Sequence, residues 1–188
     1  MFIDTELSES DAELVARLQR GDRGAFTALV RRWEGPLVRI AYRITGDLAE
    51  AEDARQQVLL KLLELPGTVR QPEKFAAWIH RAVVNAALSA LRHTKRREGL
   101  KHRLKERSAM VGESHPGDLL IADEQAGRLA DAFLQLEPEA RALLALRFDE
   151  NLTFQEIAAA LGQPASTVKS RVARAVGRLR ALLADHED

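Results

Sequence analysis

Ser166, Thr167, Lys169, Ser170, Arg171 and Arg174 place hydroxyls and cations in one short run near the C-terminal end of the chain. The chemistry they offer is recognition. Hydroxyls can hydrogen-bond base edges or phosphates, ammonium and guanidinium groups neutralise phosphates, and small residues let a helix approach a groove closely. At about 100° per residue, Val168, Val172, Ala175, Val176 and Leu179 gather on one side of a helix. Ser166, Thr167, Ser170, Ala173 and Arg174 face the other way, flanked by Lys169 and Arg171. No carboxylate occurs from Ala165 to Leu183.

The residues just before this run must hold that helix in place. Thr153-Phe-Gln-Glu156 has the spacing of a capping box, and Leu152 and Ile157 occupy the two positions of a hydrophobic staple. Gly162 suits a left-handed residue after a helix, and Pro164 stops that helix from continuing. A second helix within three or four residues completes a helix-turn-helix, whose second helix can enter a major groove. An ordinary helical hairpin with a basic surface is the plainer alternative.

A second polar constellation lies at Gly46-Asp47-Leu-Ala-Glu-Ala-Glu52-Asp53-Ala-Arg-Gln56-Gln57. Acids in the first turns of a helix suit its dipole whatever the function. That accounts for Asp47 and Glu50. Asp53, Gln56 and Gln57 instead form a ridge at i, i+3 and i+4, suited to gripping a basic helical partner.

Apolar spacing is helical almost throughout, with no sustained alternation of the kind a strand needs. Ser8 or Ser10 caps a first helix to about Arg20, with Leu14, Val15 and Leu18 inward. A second run carries Phe26, Leu29, Val30, Trp33, Leu37, Ile40 and Ala41, with a kink or break expected at Pro36. A third carries Val58, Leu59, Leu62 and Leu63 on its later turns. After a loop at 65–72, a fourth helix from about Glu73 to His93 presents Phe75, Trp78, Ile79, Ala82, Val83 and Leu88 to a core. Eight Lys or Arg against two Glu then fill Arg92–Arg107, and residues 96–121 read as a flexible basic linker, helical at most at its start. Four more helical runs follow at about 122–135, 138–148, 154–161 and 165–183, with Pro138 at a first helical position. The fold expected is all-α, with two small helical domains at 1–95 and 122–188.

Composition narrows the function. The 188 residues carry 28 basic and 28 acidic side chains and no cysteine. Disulfides, thiol nucleophiles and cysteine-based metal sites are excluded. There is no Walker loop, Rossmann glycine pattern or HExxH, and Glu52 and Asp53 have no histidine or second acidic cluster nearby, so no enzyme activity and no cofactor are expected. The N-terminus has neither a basic nor an apolar leader region, and no run approaches 18 apolar residues, which predicts a cytoplasmic protein. His80, His93, His102, His115 and His186 lack metal-ligand spacing and read as solvated. Phe75, Trp78 and Trp33 read as core, although the first and second could stack on unpaired bases. Arg92, Lys95, Arg96 and Arg97 suit either phosphate contacts or a solvated helix end. Asn85 needs a partner if buried.

Four stretches in order resemble one family, the bacterial sigma-70 factors of the small extracytoplasmic-function (ECF) type. "RGDRGAFTALVRRW" (20–33) is similar to the family's first region, and "AEDARQQVLLKLL" (51–63) to its core-polymerase-binding helix. "FAAWIHRAVVNAALSALR" (75–92) resembles the segment that handles the promoter −10 element, and "LTFQEIAAALGQPASTVKSRVARA" (152–175) the region that reads the −35 element. The resemblance implies a sigma region 2-like domain, a linker and a region 4-like helix-turn-helix domain that together bind core RNA polymerase and direct it to promoter DNA. Carried over by position, Asp53, Gln56 and Gln57 face the polymerase clamp. Val69, Arg70 and Lys74 belong to a loop around a flipped −10 base, with Asn85 and Arg92 on the adjoining helix, because an extruded base needs a pocket. Lys169, Ser170 and Arg174 read the −35 duplex, while Ser166, Thr167 and Arg171 position its backbone.

The resemblance also implies contacts with the polymerase flap, a monomer when free, no small-molecule substrate, and an anti-sigma factor that could hold the chain at the membrane. Gln57 stands where an acid is common, Ser89 where Asp is common and Val69 where an aromatic is common. These departures bear on −10 preference. Two rivals remain on the residues alone: a stand-alone helix-turn-helix regulator, and a helical adaptor that binds polymerase without starting transcription.

Overall fold

Side-chain caps set several of the helix starts. The structure is a computed structural model that describes residues 9–105 and 124–184, and among these there is no strand. α1 (Asp11–Gln19) opens on Ser10, whose hydroxyl accepts from the Glu13 N–H while the Ser10 N–H donates to Glu13 Oε2 at 2.7 Å. These hydrogen bonds favour the charged carboxylate and hold Glu13 below its ordinary range. Ser8, the other cap considered, lies outside the described residues.

α2 (Arg23–Thr45) is capped by Asp22, which accepts from the Gly24 N–H at 2.8 Å and from Arg17 Nη2 at 2.7 Å. Of the kink or break expected at Pro36, the break does not occur, and helix continues on both sides of it. Leu37, Ile40, Ala41 and Ile44 directly after it are fully buried, so core packing keeps the second half helical despite the lost backbone hydrogen bond. Gly46 ends α2 with φ +76°, and Asp47 caps α3 (Leu48–Glu64) through the Glu50 N–H at 2.8 Å. Two 3-10 turns, Pro66–Thr68 and Pro72–Lys74, lead into α4 (Phe75–Lys105).

α4 runs past residue 95 as far as Lys105, so the basic stretch starts as helix, which the sequence reading allowed for the beginning of the linker. Lys and Arg have high helix propensity and suit a C-terminal end. The rest of the expected linker, 106–121, lies outside the described residues.

α5 (Glu124–Leu134), α6 (Pro138–Leu144), α7 (Phe154–Leu161) and α8 (Ala165–Ala184) form the second domain. The expected run to 148 is helical throughout but changes character. α6 gives way to a π-helical turn, Ala145–Asp149, closed by the Glu150 N–H donating to the Ala145 carbonyl at 3.1 Å. Asn151 follows with φ +54°, a conformation asparagine tolerates better than most residues.

The first core joins Leu14, Leu29, Leu37, Ile40, Ile44, Leu62, Phe75 and Ile79, all fully buried. In the second domain Leu143, Leu146, Ile157, Val168 and Val172 are buried, and they belong to the same continuous apolar cluster as the first set. Leu63, by contrast, is 39% exposed on α3. The domains touch, α2 and α4 packing onto α6 and α7. No helix among the described residues is long and apolar enough to cross a membrane.

Candidate nucleic-acid interface

The helix-turn-helix forms as its residues dictate. Thr153 Oγ1 accepts from the Glu156 N–H at 3.2 Å, and the Thr153 N–H donates to Glu156 Oε2 at 2.8 Å. This reciprocal box lowers the Glu156 carboxyl below its ordinary range, through the backbone hydrogen bond first and the hydroxyl second. Ile157 is fully buried and Leu152 half-buried beside it. Gly162 adopts φ +65° and closes α7.

On α8, Val168, Val172 and Ala175 are buried, as is Leu182, while Val176 and Leu179 are partly so. Ser166, Thr167, Lys169, Ser170 and Arg174 are exposed. Two details refine that face. Ser170 Oγ donates to the Thr167 carbonyl at 2.9 Å, which leaves its lone pairs free to accept from a base amino group. Arg171 Nη1 donates to Gln163 Oε1 at 3.0 Å and is half-buried, so it is tied to the turn.

In the first domain, Asp53, Gln56 and Gln57 form one exposed ridge on α3, seated on the buried Ala51, Ala54 and Val58. Arg70 and Lys74 are exposed in the loop before α4, and Asn85 and Arg92 are exposed on α4 itself. Asn85 therefore needs no buried partner. Arg92 Nε donates to the Leu88 carbonyl at 3.2 Å. Lys95, Arg96 and Arg97 carry side chains outside the described set.

Val69 corrects the expected −10 set. Its side chain is 1% exposed and packs in the core, so it cannot be offered to a base. What the loop presents is backbone, and Gln19 holds it: Nε2 donates to the Val69 carbonyl at 2.8 Å and to the Pro66 carbonyl at 3.1 Å. Nothing in the sequence links Gln19 to residues some fifty positions later, so this positioning contact was not readable there.

Trp78 is half-buried and stacks on Phe75, ring centroids 5.9 Å apart. Trp33 meets Phe75 edge-on at 5.8 Å and donates its Nε1–H to Asp11 Oδ2 at 3.1 Å, so both tryptophans pack. His80 corrects the expectation of a solvated side chain. It is 4% exposed, edge-on to Trp33 at 5.3 Å. Burial pushes its pKa down, against the opposing pull of Glu150, the Ala76 backbone and Glu156. A position that reads as surface on the sequence lies instead where the domains meet.

Comparison with known proteins fits this geometry. Residues 29–97 match the pattern of Sigma-70 region 2 and residues 132–181 that of Sigma-70 region 4. The sigma-H factor of Pseudomonas aeruginosa is 30% identical over 174 residues, covering 89% of this chain and 90% of that one. The ECF sigma factor SigM of Mycobacterium tuberculosis is 34% identical over 175 residues, covering 93% and 85%. The structure of CnrH in complex with the cytosolic domain of CnrY shares the fold, with a TM-score of 0.70 at 22% identity over 94% of this chain and 99% of that one. The chain belongs to the sigma-70 family, whose members are transcription initiation factors and not catalysts. Within that family it is a sigma factor of the ECF type.

Proposed function

We propose that this sigma factor binds core RNA polymerase through the α3 ridge of Asp53, Gln56 and Gln57 and reads promoters at two places. Arg70, Lys74, Asn85 and Arg92 meet the −10 element, with the loop backbone held by Gln19 forming the wall of the pocket. Lys169, Ser170 and Arg174 read base edges of the −35 duplex, and Ser166, Thr167 and Arg171 hold its phosphates. The observation that carries this reading is the α8 face: exposed, free of carboxylates and backed by a continuous apolar seam. By analogy with the sigma factor RpoE of Bartonella quintana, solved in complex with the anti-sigma factor NepR, an anti-sigma factor is the regulator proposed, acting on a chain that is monomeric and cytoplasmic when free.

Run-off transcription from genomic fragments, with core polymerase alone and with this protein added, tests the reading. New start sites preceded by a common pair of elements are expected. No added start sites, together with no co-elution with core, would overturn it.

A further inference from the structure

A cleft of about 340 Å³ runs between α6 and α8, and its two walls carry opposite charge. Arg171, Arg174 and Arg178 line one wall, Glu137 and Glu139 the other, over the buried Leu143. All of these charged side chains are exposed except Arg171, which is half-buried. Among the described residues no ion pair joins the two walls. Arginines elsewhere on the second domain's border do find acceptors. Arg39 Nη2 donates to Glu150 Oε1 at 2.8 Å, Arg43 Nε to Asp149 Oδ2 at 3.0 Å and Arg81 Nη2 to the Ala159 carbonyl at 3.1 Å. In the cleft, charges of both signs stand across from one another unpaired.

Arg178 continues the stripe of Thr167, Arg171 and Arg174, within about 40° of each at about 100° per residue, and stands about 6 Å beyond Arg174 along the helix axis. A recognition helix meets base edges with its N-terminal turns. A cation one turn past those contacts is therefore placed for backbone phosphate and not for a base. α6 sets the opposite wall. Its dipole favours acids at this end, but the dipole does not require them to line a cleft with α8. Glu139 also lines a neighbouring cavity of about 120 Å³ together with Arg171. A phosphate drawn to these arginines from the α6 side thus approaches a carboxylate as well.

We propose that this cleft sorts the backbone of duplex DNA: Arg178 takes a phosphate at the far edge of the −35 contact, while Glu137 and Glu139 repel the backbone from α6 and hold down sequence-independent affinity. The proposal rests on the −35 reading of α8 given above. Arginines attract phosphate on any duplex, so a carboxylate wall beside them weakens binding to all sequences alike. The base contacts of Lys169, Ser170 and Arg174 carry the discrimination that remains. Bulk DNA then competes poorly for the chain, which is what a promoter reader needs against a large excess of other sites.

The test titrates the full-length protein onto a fluorescent mixed-sequence DNA duplex and reads anisotropy between about 50 and 200 mM salt. Glu139→Gln should bind about threefold more tightly than the parent, the value of one unit charge about 7 Å from another in water. Glu137→Gln/Glu139→Gln should gain further. Arg178→Ala should bind more weakly and lower the slope of log affinity against log salt by about 0.9. Glu64→Gln removes an exposed carboxylate from α3 in the first domain and is expected to match the parent. Circular dichroism checks that each variant keeps its helicity. Equal gains in Glu64→Gln and Glu139→Gln would reveal an effect of net charge alone and overturn the role of the cleft. Parent-like affinity in Glu137→Gln/Glu139→Gln, or no binding by either protein at the lowest salt, would do the same. An unchanged salt slope in Arg178→Ala would remove its phosphate contact. The readout needs no polymerase, so failed run-off initiation counts against the function proposed above, and failure of these shifts against the cleft.

Discussion

α3 and α8 are built alike and charged oppositely. Each sets a polar ridge on a base of alanine and valine, and each base is buried. α3 begins with Asp47 as cap and Glu50 in its first turn, an arrangement that helix stability alone would select. α8 has no acid in its first turn and none along its length to Leu183. It forgoes a stabilising term available to any surface helix. The difference teaches that charge on α3 is ambiguous between folding and function, whereas its absence on α8 points to an anionic partner.

The comparison breaks most severely if the support of α8 is removed. Ile157→Ala empties a fully buried site between α7 and α8 and should cost about 2–5 kcal/mol. Denaturant melts followed by circular dichroism should show the helix-turn-helix domain unfolding first, with the first domain persisting. Next in size is Arg174→Ala, expected to relax −35 discrimination by about 1–3 kcal/mol while leaving retention on core polymerase unchanged. Asp53→Ala should give the opposite pattern, weaker co-elution with core and an unaltered preference among −35 sequences in the initiation that remains. If both variants gave the same phenotype, the assignment of one ridge to protein and the other to DNA would fall.

Thr153→Ala removes the cap that orients α7 and should lower stability by about 1 kcal/mol, read as a shift in denaturant midpoint with an unchanged slope. The smallest effect is in pH dependence and belongs to His80. Its pKa is depressed by burial from 6.5, so above that value it is neutral in both states and carries no penalty. As the pH falls through that value the unfolded chain takes up the proton first, and stability is lost until the folded-state pKa is passed. Melts between about pH 7.5 and about pH 5 should show a shallower slope for His80→Phe than for the parent.

Much of this was legible in local pattern. The Thr153–Glu156 box, the left-handed Gly162, Pro138 at its helix start and the two faces of α8 each depend on residues within one or two turns. What escaped depends on distant packing. Val69 resembles any loop residue until the core closes over it, and His80 becomes buried only because α7 and Trp33 flank it. Pro36 signals a break by its own chemistry, yet the buried residues after it keep α2 whole. Arg39, Arg43 and Arg81 carried no signal, since an exposed arginine on an amphipathic helix looks the same whether it meets water or a second domain.

The wide turn at Ala145–Asp149 sets an angular phase. Each residue of an ordinary α-helix advances by about 100°, and a single i→i+5 closure delays the winding by about one residue. Wound as plain α-helix, the same residues would bring Asp149 and Glu150 round early, about a quarter-turn away from Arg43 and Arg39. The direction of those acids is thus fixed by the pitch of five residues. A change there that touched no charged group would still turn both acids away from their arginines.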